Sequence, residues 1–378
     1  MTVSRVQVSE AAVVLSGFAF KSDLFSESEG VPLIRIRDVT RGHSKTFYTG
    51  TYSNDFLVDD GDILIGMDGN FEAARWKGGP ALLNQRVCRI KGRPAVLDDS
   101  YLFHFLAPAL KKIEDATPFV TVKHLSAGGV RGIEIPFPPL PEQRRIAAIL
   151  DQADALRAKR REALAQLDSL TQSIFIEMFG DPARNTLNLP LTSLSDIGPW
   201  RSGGTPPRGQ QHYFDGNVPW FSSGELESMY VERSAEHISE LAIRETSVKL
   251  VSAGSLMLGM YDTAALKASI ATVDCACNQA IAFSLLDPDR AEVSYVYFAI
   301  VVAREHFRRL QRGVRQKNLN LSMIRDIQIP APPIAQQRAF SARIQAVELV
   351  RATHRASLAE LDALFASLQH RAFAGQLS

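Results

Sequence analysis

The sequence predicts an α+β protein: two mixed α/β domains in tandem, each followed by one long α-helix, with the two helices packed on each other. Three observations lead there. IPFPPLPEQRRIAAIL at 135–150 returns 194 residues later as IPAPPIAQQRAFSARI at 329–344. Across 135–181 and 329–375 the copies align without a gap, and 17 of 47 positions are identical. Each copy of this stretch is long, uninterrupted and apolar at helical spacing, whereas 1–134 and 183–328 hold short apolar runs broken by Gly, Asp, Asn and Pro. A period this long marks duplicated domains, because solenoid units run about 20–50 residues.

The β-rich parts come first in each copy. Pro32–Ile36, Asp62–Met67 and Arg86–Ile90 read as strands, as do Ser255–Met260 and Ala280–Leu285, with short helices near 101–113 and 292–312. Weaker echoes tie the two parts together. GDILIGM (61–67) resembles GSLMLGM (254–260), LNQRV (83–87) resembles CNQAI (277–281), and EGVPLIRIRDV (29–39) resembles GNVPWFSSGEL (216–226). Ser16-Gly17 matches Ser202-Gly203 in the same way. The organisation is therefore 1–134 first domain, 135–182 joint and helix, 183–328 second domain, and 329–378 joint and helix.

The joints are stiff, because proline fixes φ and pushes the residue before it into extended conformation. Residues 142–179 contain no Pro or Gly, and Ile146, Ile149, Ala153, Leu156, Leu164, Leu167, Leu170, Ile174 and Met178 form a stripe. Pro141 suits a first helical turn, Glu142 suits its positive end, and Gly180-Asp181-Pro182 stops the helix. The second copy carries Phe340, Ile344, Val347, Val350, Leu358, Leu361, Leu364 and Leu368. Neither stripe can be buried by its own helix, so packing the two together is the expected solution.

Composition narrows the function. Lys+Arg is 42 against Asp+Glu 41, so any nucleic-acid surface must be local and one-sided. The three cysteines, Cys88, Cys275 and Cys277, cannot build a disulfide framework and fit a reducing cytoplasm, and Cys275-Ala-Cys277 lacks further ligands for a metal. The N-terminal residues lack a signal-peptide layout, and no apolar run reaches the roughly 20 residues a membrane span needs. Phosphate loops, dinucleotide fingerprints, nucleophile elbows and H-E-x-x-H pairs are all missing, and the eight histidines are scattered. Asp59-Asp60 and Asp98-Asp99 read as solvated turn carboxylates. Basic clusters do stand out: Arg35, Arg37, Arg41 and Lys45; Arg86, Arg89, Lys91 and Arg93; and six basic residues against one acid in 304–317. They could neutralise phosphates or form solvated faces.

The order of β-rich domain, I-P-x-P-P-L-P-E-Q-R-R-I-A-A-I-L, long helix and F-G-D-P, then the whole again, resembles the specificity subunit of Type I restriction–modification systems. Ser16–Ser22 and Ser202–Pro206 support the likeness. The resemblance implies that each domain is a target recognition domain reading one half of a split, asymmetric DNA sequence. It also implies that the helices pair as an antiparallel coiled coil with pseudo-twofold symmetry, acting as a spacer. The subunit itself would be non-catalytic and would act on double-stranded DNA with methyltransferase (modification) and restriction/translocase subunits. S-adenosylmethionine would bind the modification subunits, and ATP and Mg²⁺ the restriction subunits. The second copy departs from the pattern: Pro141-Glu142 becomes Ala335-Gln336, and Arg145-Ile146-Ala147 becomes Ala339-Phe340-Ser341.

Polar and basic residues in glycine-punctuated loops are the expected DNA contacts. In the first domain these are Lys21, Arg35, Arg37, Lys45, Asn70, Lys77 and Lys123. In the second they are Arg201, Thr205, Arg208, Ser222, Ser223, Tyr261, Arg312, Arg315 and Lys317. Asn84-Gln85 and Asn278-Gln279 recur at equivalent places, where a turn and a base contact are both open. About 57 Å of helix allows at most about 17 base pairs between half-site centres. The rival readings are a non-enzymatic protein–protein scaffold with two binding domains, and a nuclease with an unfamiliar site.

Overall fold

A computed structural model describes residues 4–117, 123–309 and 318–377. The chain forms two compact units, Met1–Arg161 with Ala356–Ser378, and Glu162–Arg355. The boundary falls inside both long helices, Leu140–Phe179 and Ile334–Phe373, of 40 residues each. No helix among the described residues is long and apolar enough to cross a membrane.

The first unit holds a four-stranded antiparallel sheet in the order Ala12–Ser16, Val87–Gly92, Ile63–Gly66, Ala73–Arg75. A five-stranded sheet runs Phe25–Ser26, Phe47–Tyr48, Val31–Ile34, Ala81–Leu83, Leu57–Val58. Within it Val31–Ile34 and Ala81–Leu83 are parallel. The second unit repeats the plan. Its five-stranded sheet runs Arg201–Ser202, Ile281–Ser284, Leu256–Gly259, Ala268–Ala271, Tyr230–Val231. Its three-stranded sheet runs Glu236–Ile238, Val218–Phe221, Ala276–Cys277, and the last two strands are parallel. In both units a short strand just before the joint, Glu134–Pro136 or Gln328–Pro330, pairs antiparallel with a strand from the start of the same domain.

The repeat's identical residues do the same work twice. Gln143 is fully buried: its Oε1 accepts from the Asp98 N–H at 2.9 Å, and its Nε2 donates to the carbonyls of Pro138 (2.9 Å) and Val96 (3.2 Å). Gln337 likewise accepts from the Glu292 N–H at 3.0 Å and donates to Pro332 O at 2.9 Å. The hydroxyls of Tyr101 and Tyr295 donate to the carbonyls of Pro136 and Pro330 at 2.8 and 2.6 Å. Each proline joint is thus riveted to the domain before it through buried polar groups, which are costly to leave unpaired.

Inside each unit one helix packs antiparallel on the other. In the first unit Arg157 meets Asp362 at 2.6 Å while Arg145 Nη2 donates to the Leu377 carbonyl at 2.6 Å, so the partner residue falls as the first helix rises. In the second unit Arg351 meets Asp168 at 2.8 Å, while Phe175 and Phe179 pack on Phe340, each with ring centroids 5.5 Å apart. Arg157–Asp362 and Arg351–Asp168 are the same repeat positions with the roles of the helices exchanged. The helix ends follow suit: Phe373 meets Tyr101 edge-to-face at 5.3 Å in the first unit, and Phe179 meets Tyr295 likewise at 4.8 Å in the second. Two duplicated seams, each closed by one arginine and one phenylalanine, result.

The buried stripe differs from the expected one. Leu150, Ala153, Thr171, Phe175 and Phe179 are buried, whereas Leu156 and Leu170 stay 47% and 45% exposed. Leucine spacing alone set the expectation, yet mid-seam volume is filled by guanidinium groups, as where Arg157 lies 4.2 Å over the Phe365 ring.

Candidate nucleic-acid interface

In each unit the parallel strand pair ends at a place where three loop segments, distant in sequence, converge. In the first unit Ile34 pairs with Leu83, so Arg35 leaves the sheet beside Asn84. Phe18 forms a parallel bridge with Asn84. Its N–H donates to Leu83 O at 2.9 Å, and its carbonyl accepts from the Gln85 N–H at 2.8 Å. Gly17 makes this approach feasible, because any Cβ there would collide with the Asn84 carbonyl. Asn84 is buried, and its Oδ1 accepts from the Gln85 N–H at 2.9 Å.

Beyond Ile34 the chain makes a 3₁₀ turn, Ile36–Asp38, and a loop returning at Phe47. The buried Asp38 carboxylate accepts from the Arg35 N–H at 3.0 Å, and the Ser44 hydroxyl donates to Leu33 O at 2.7 Å, so the loop is pinned at both ends. Arg35, Arg41 and Lys45 are exposed on it, and Arg37 is half-exposed, 3.9 Å from Asp38. Lys77 is exposed and lies against Gly42 at the crown of the loop. Lys21, also exposed, follows Phe20 and precedes the turn Ser22–Leu24. The structure thus brings Arg35, Arg37 and Lys45 onto one pinned loop, with Lys77 against it.

Two other expected residues sit elsewhere. Asn70 is exposed and lines a 490 Å³ cavity with Thr40, Lys111 and Glu114. Lys123 donates from Nζ to the Glu114 carbonyl at 2.5 Å, near the end of the helix Asp99–Ala116, where a cation complements the helix dipole.

In the second unit Phe221 pairs with Cys277, so Ser222 leaves beside Asn278. Gly203 and Gly204 donate backbone N–H groups to Ile281 O (3.0 Å) and Cys277 O (2.9 Å), and Asn278 Oδ1 accepts from the Ala280 N–H at 3.0 Å. The Thr205 hydroxyl donates to Gln279 Oε1. Ser222 gives both its N–H and its hydroxyl to Glu225, each at 2.7 Å, and Ser223 is half-buried in the same 3₁₀ turn. Partial burial opposes charge on Glu225, but the amides of Ala235 and Ser222 and the Ser222 hydroxyl outweigh it and hold the carboxyl below its ordinary pKa.

Arg208 is not free. Its guanidinium clasps Glu236, with Nη2 at 3.2 Å from Oε1, and lies 4.9 Å over the rings of both Phe214 and Trp220. Arg201 is exposed on the edge strand Arg201–Ser202, and Tyr261, 38% exposed, bridges to Asn318. Arg312, Arg315 and Lys317 lie outside the described residues.

At matching backbone places the two units therefore present different chemistry: Arg35 against Ser222, Arg37 against Gly224, and Phe18 against Gly204. Phe18 is half-exposed on a bed of Phe20 and Phe56, whose ring centroids both lie 5.1 Å from its own. Sequence reasoning did not count it as a contact, although two phenylalanines one residue apart, just after Ser16-Gly17, are a usable signal. Among the described residues no group of three or more His, Cys, Asp or Glu could hold a metal ion. Burial pushes the thiols of Cys88 and Cys275 up to about 12, and Cys277 is raised too.

Comparison with known proteins meets this geometry. The family described as the type I restriction modification DNA specificity domain matches residues 3–166 and, a second time, 191–363. The EcoBI type I restriction enzyme specificity subunit of Escherichia coli is 39% identical over 175 residues, which is 45% of this chain and 37% of that protein. The EcoR124I/EcoR124II specificity subunit of Escherichia coli is 25% identical over 217 residues, 54% of this chain and 53% of that protein. The matches thus span between about a third and a half of these relatives' lengths. The S subunit of a type I restriction–modification system from M. genitalium shares the fold with a TM-score of 0.61 at 13% identity, covering 98% of this chain and 96% of that one. A chain from a study of complex assembly and conformational transition in the type I R-M system gives 0.54 at 17% identity, covering 100% and 98%.

Proposed function

The chain belongs to the type I restriction modification DNA specificity family, and from that premise we propose that it is a non-catalytic subunit reading a bipartite, asymmetric duplex DNA target. The carrying observation is the doubled strand-end site: one backbone arrangement, at Asn84 and at Asn278, dressed with unlike side chains. Equal scaffolds let the two units approach DNA alike, and unlike side chains let them read different half-sites. In the first unit Arg35, Arg37, Lys45 and Lys77 would meet phosphates or base edges, with Lys21 beside them. In the second, Thr205, Ser222 and Ser223 would contribute, with Arg201, Tyr261, Arg312, Arg315 and Lys317 as further contacts. Arg208 and Lys123 would serve mainly to hold loops.

Methyltransferase and restriction subunits would dock on the assembly and hold S-adenosylmethionine, ATP and Mg²⁺. Exposed apolar helix residues support a protein partner: Leu156 and Leu364 in the first unit, and Leu170, Ile176, Leu349 and Val350 in the second. The test is selection from a library of random duplexes by the full chain, with and without the methyltransferase subunit. A two-part asymmetric sequence with a fixed gap should be enriched. A folded, partner-bound chain that enriches no sequence would instead support a protein scaffold.

A further inference from the structure

From the recurrence of Asn-Gln at both strand-end sites we infer that Gln85 and Gln279 are a matched pair of phosphate contacts, which set each unit's register on the duplex without reading sequence. The inference rests on the DNA-reading proposal above. In each pair the two residues divide the work. Asn84 and Asn278 point inward, their side-chain oxygens accepting the N–H groups of Gln85 and Ala280. The glutamines point out: both are exposed, and both sit on backbone fixed from two sides. The Gln85 N–H is held by Phe18 O at 2.8 Å and by Asn84 Oδ1 at 2.9 Å, while the Asn278 N–H just before Gln279 is held by Phe221 O at 2.9 Å. A rigid mount carrying a solvent-facing amide is what a contact residue needs, and a turn alone does not need the glutamine.

Two observations choose phosphate over base. The residues around the glutamines differ between units, Phe18 and Arg35 in one and Gly204 and Ser222 in the other, whereas the glutamine is the same. A residue common to two domains that read unrelated half-sites fits a feature common to both half-sites, and the phosphate backbone is that feature. The second observation concerns polarity. The Thr205 hydroxyl donates to Gln279 Oε1, which takes one of that oxygen's two acceptor sites and leaves the NH₂ group, two donors, for an external partner. Phosphate oxygens only accept, so they match this donor on any sequence, whereas a base edge matches it only where it carries an acceptor. Thr205 is accordingly a positioning residue for Gln279, and the divergent neighbours are left to discriminate between bases.

The test uses the full chain with its methyltransferase partner and a randomised duplex library, followed by binding titrations at several salt concentrations. Wild-type enrichment of a bipartite sequence checks the underlying reading first; if nothing is enriched, that reading fails and the inference falls with it. Given enrichment, Q85A and Q279A should each weaken binding about ten- to a hundredfold, the loss of a hydrogen bond to a charged group. The selected sequence should not change, and neither should the salt dependence, because a neutral amide releases no counterion. Q279E, nearly isosteric but repelled by phosphate, should lose at least as much. T205V should weaken binding in the wild-type background and add nothing in Q279A. A Q279A chain that selects different bases in one half-site would make Gln279 a base reader and overturn the inference. Unchanged affinity in a folded Q85A or Q279A chain would overturn it as well.

Discussion

Replacing Gln143 by leucine tests whether the joint is held as the structure indicates. The change keeps the volume but removes every polar contact of a fully buried side chain. One donor, the Asp98 N–H, loses its 2.9 Å acceptor, and two carbonyls, Pro138 and Val96, lose donors at 2.9 and 3.2 Å. An orphaned buried N–H costs about 2 kcal/mol and each under-satisfied carbonyl about 1 kcal/mol. Leucine returns about 1 kcal/mol through apolar burial, leaving a net loss of about 3 kcal/mol. In a unit of this size that lowers the melting temperature by about 6–12 °C, readable by calorimetry. Q143E supplies a control specific to this geometry. Its carboxylate keeps an acceptor for Asp98 but faces two carbonyls, so its folded pKa should rise above the unfolded value of about 4.3. Below that value the group is neutral in both states and carries no ionisation penalty. The penalty grows as pH rises through about 4.3 and levels off beyond the folded pKa. A Q143L chain that melts within about 2 °C of wild type, or a Q143E defect independent of pH, would refute the rivet.

The same logic extends elsewhere. In a double-mutant cycle with R351M and D168N the coupling should be about 1 kcal/mol, because Arg351 is buried but the Asp168 side chain is 66% exposed. R351M alone should lose more, about 3 kcal/mol, since it strands the largely buried Glu348; coupling under about 0.3 kcal/mol would argue against the seam pair. A thiol reagent at pH 8 should leave Cys88, Cys275 and Cys277 unmodified in the folded chain and label all three after unfolding, because thiols raised to about 12 are ionised only to about one part in ten thousand. One rapidly labelled thiol in the native state would contradict their burial. Adding seven residues to both long helices adds about 10 Å, so the preferred gap between half-sites should grow by about three base pairs; an unchanged gap in the selected DNA would sink the spacer reading.

How much of this was legible in the sequence differs between the joints and the strand-end sites, and the reason is physical. A buried hydrogen-bonded residue such as Gln143 has few substitutes, so duplication left Gln143/Gln337, Arg157/Arg351, Asp168/Asp362 and Phe179/Phe373 in a gap-free frame that alignment exposes. What alignment could not supply was pairing. Arg157 and Asp168 are one helix's residues, yet each finds its partner on the other helix. The strand-end sites are assembled by sheet register from segments far apart in the chain, with insertions between them, so Phe18, Arg35 and Gln85 look unrelated until Ile34 is set against Leu83. Charge alone does not show pairing either: of the expected DNA contacts, Arg208 clasps Glu236 and Lys123 donates to the Glu114 carbonyl near a helix end.

The altered second joint can now be given a structural meaning. In the first unit Arg145 makes two 2.8 Å bonds to Glu142 and a third, at 2.6 Å, to the Leu377 carbonyl. The bond to Arg145 is the main reason the Glu142 carboxyl sits below its ordinary pKa. The second copy has Gln336 and Ala339 at these places, so the clip is gone, while the buried Gln337 rivet beside it is intact. What holds the joint together is thus duplicated, and what the joint shows to solvent is not. The second helix start keeps Arg338, the counterpart of Arg144, 3.4 Å from Glu292 and donating to Pro288 O at 3.0 Å. A partner contacting both helix starts would meet an ion pair fastened to the tail of the chain at one and a neutral turn beside a different arginine at the other. The two helix starts are therefore chemically unequal even though the backbone that forms them is the same.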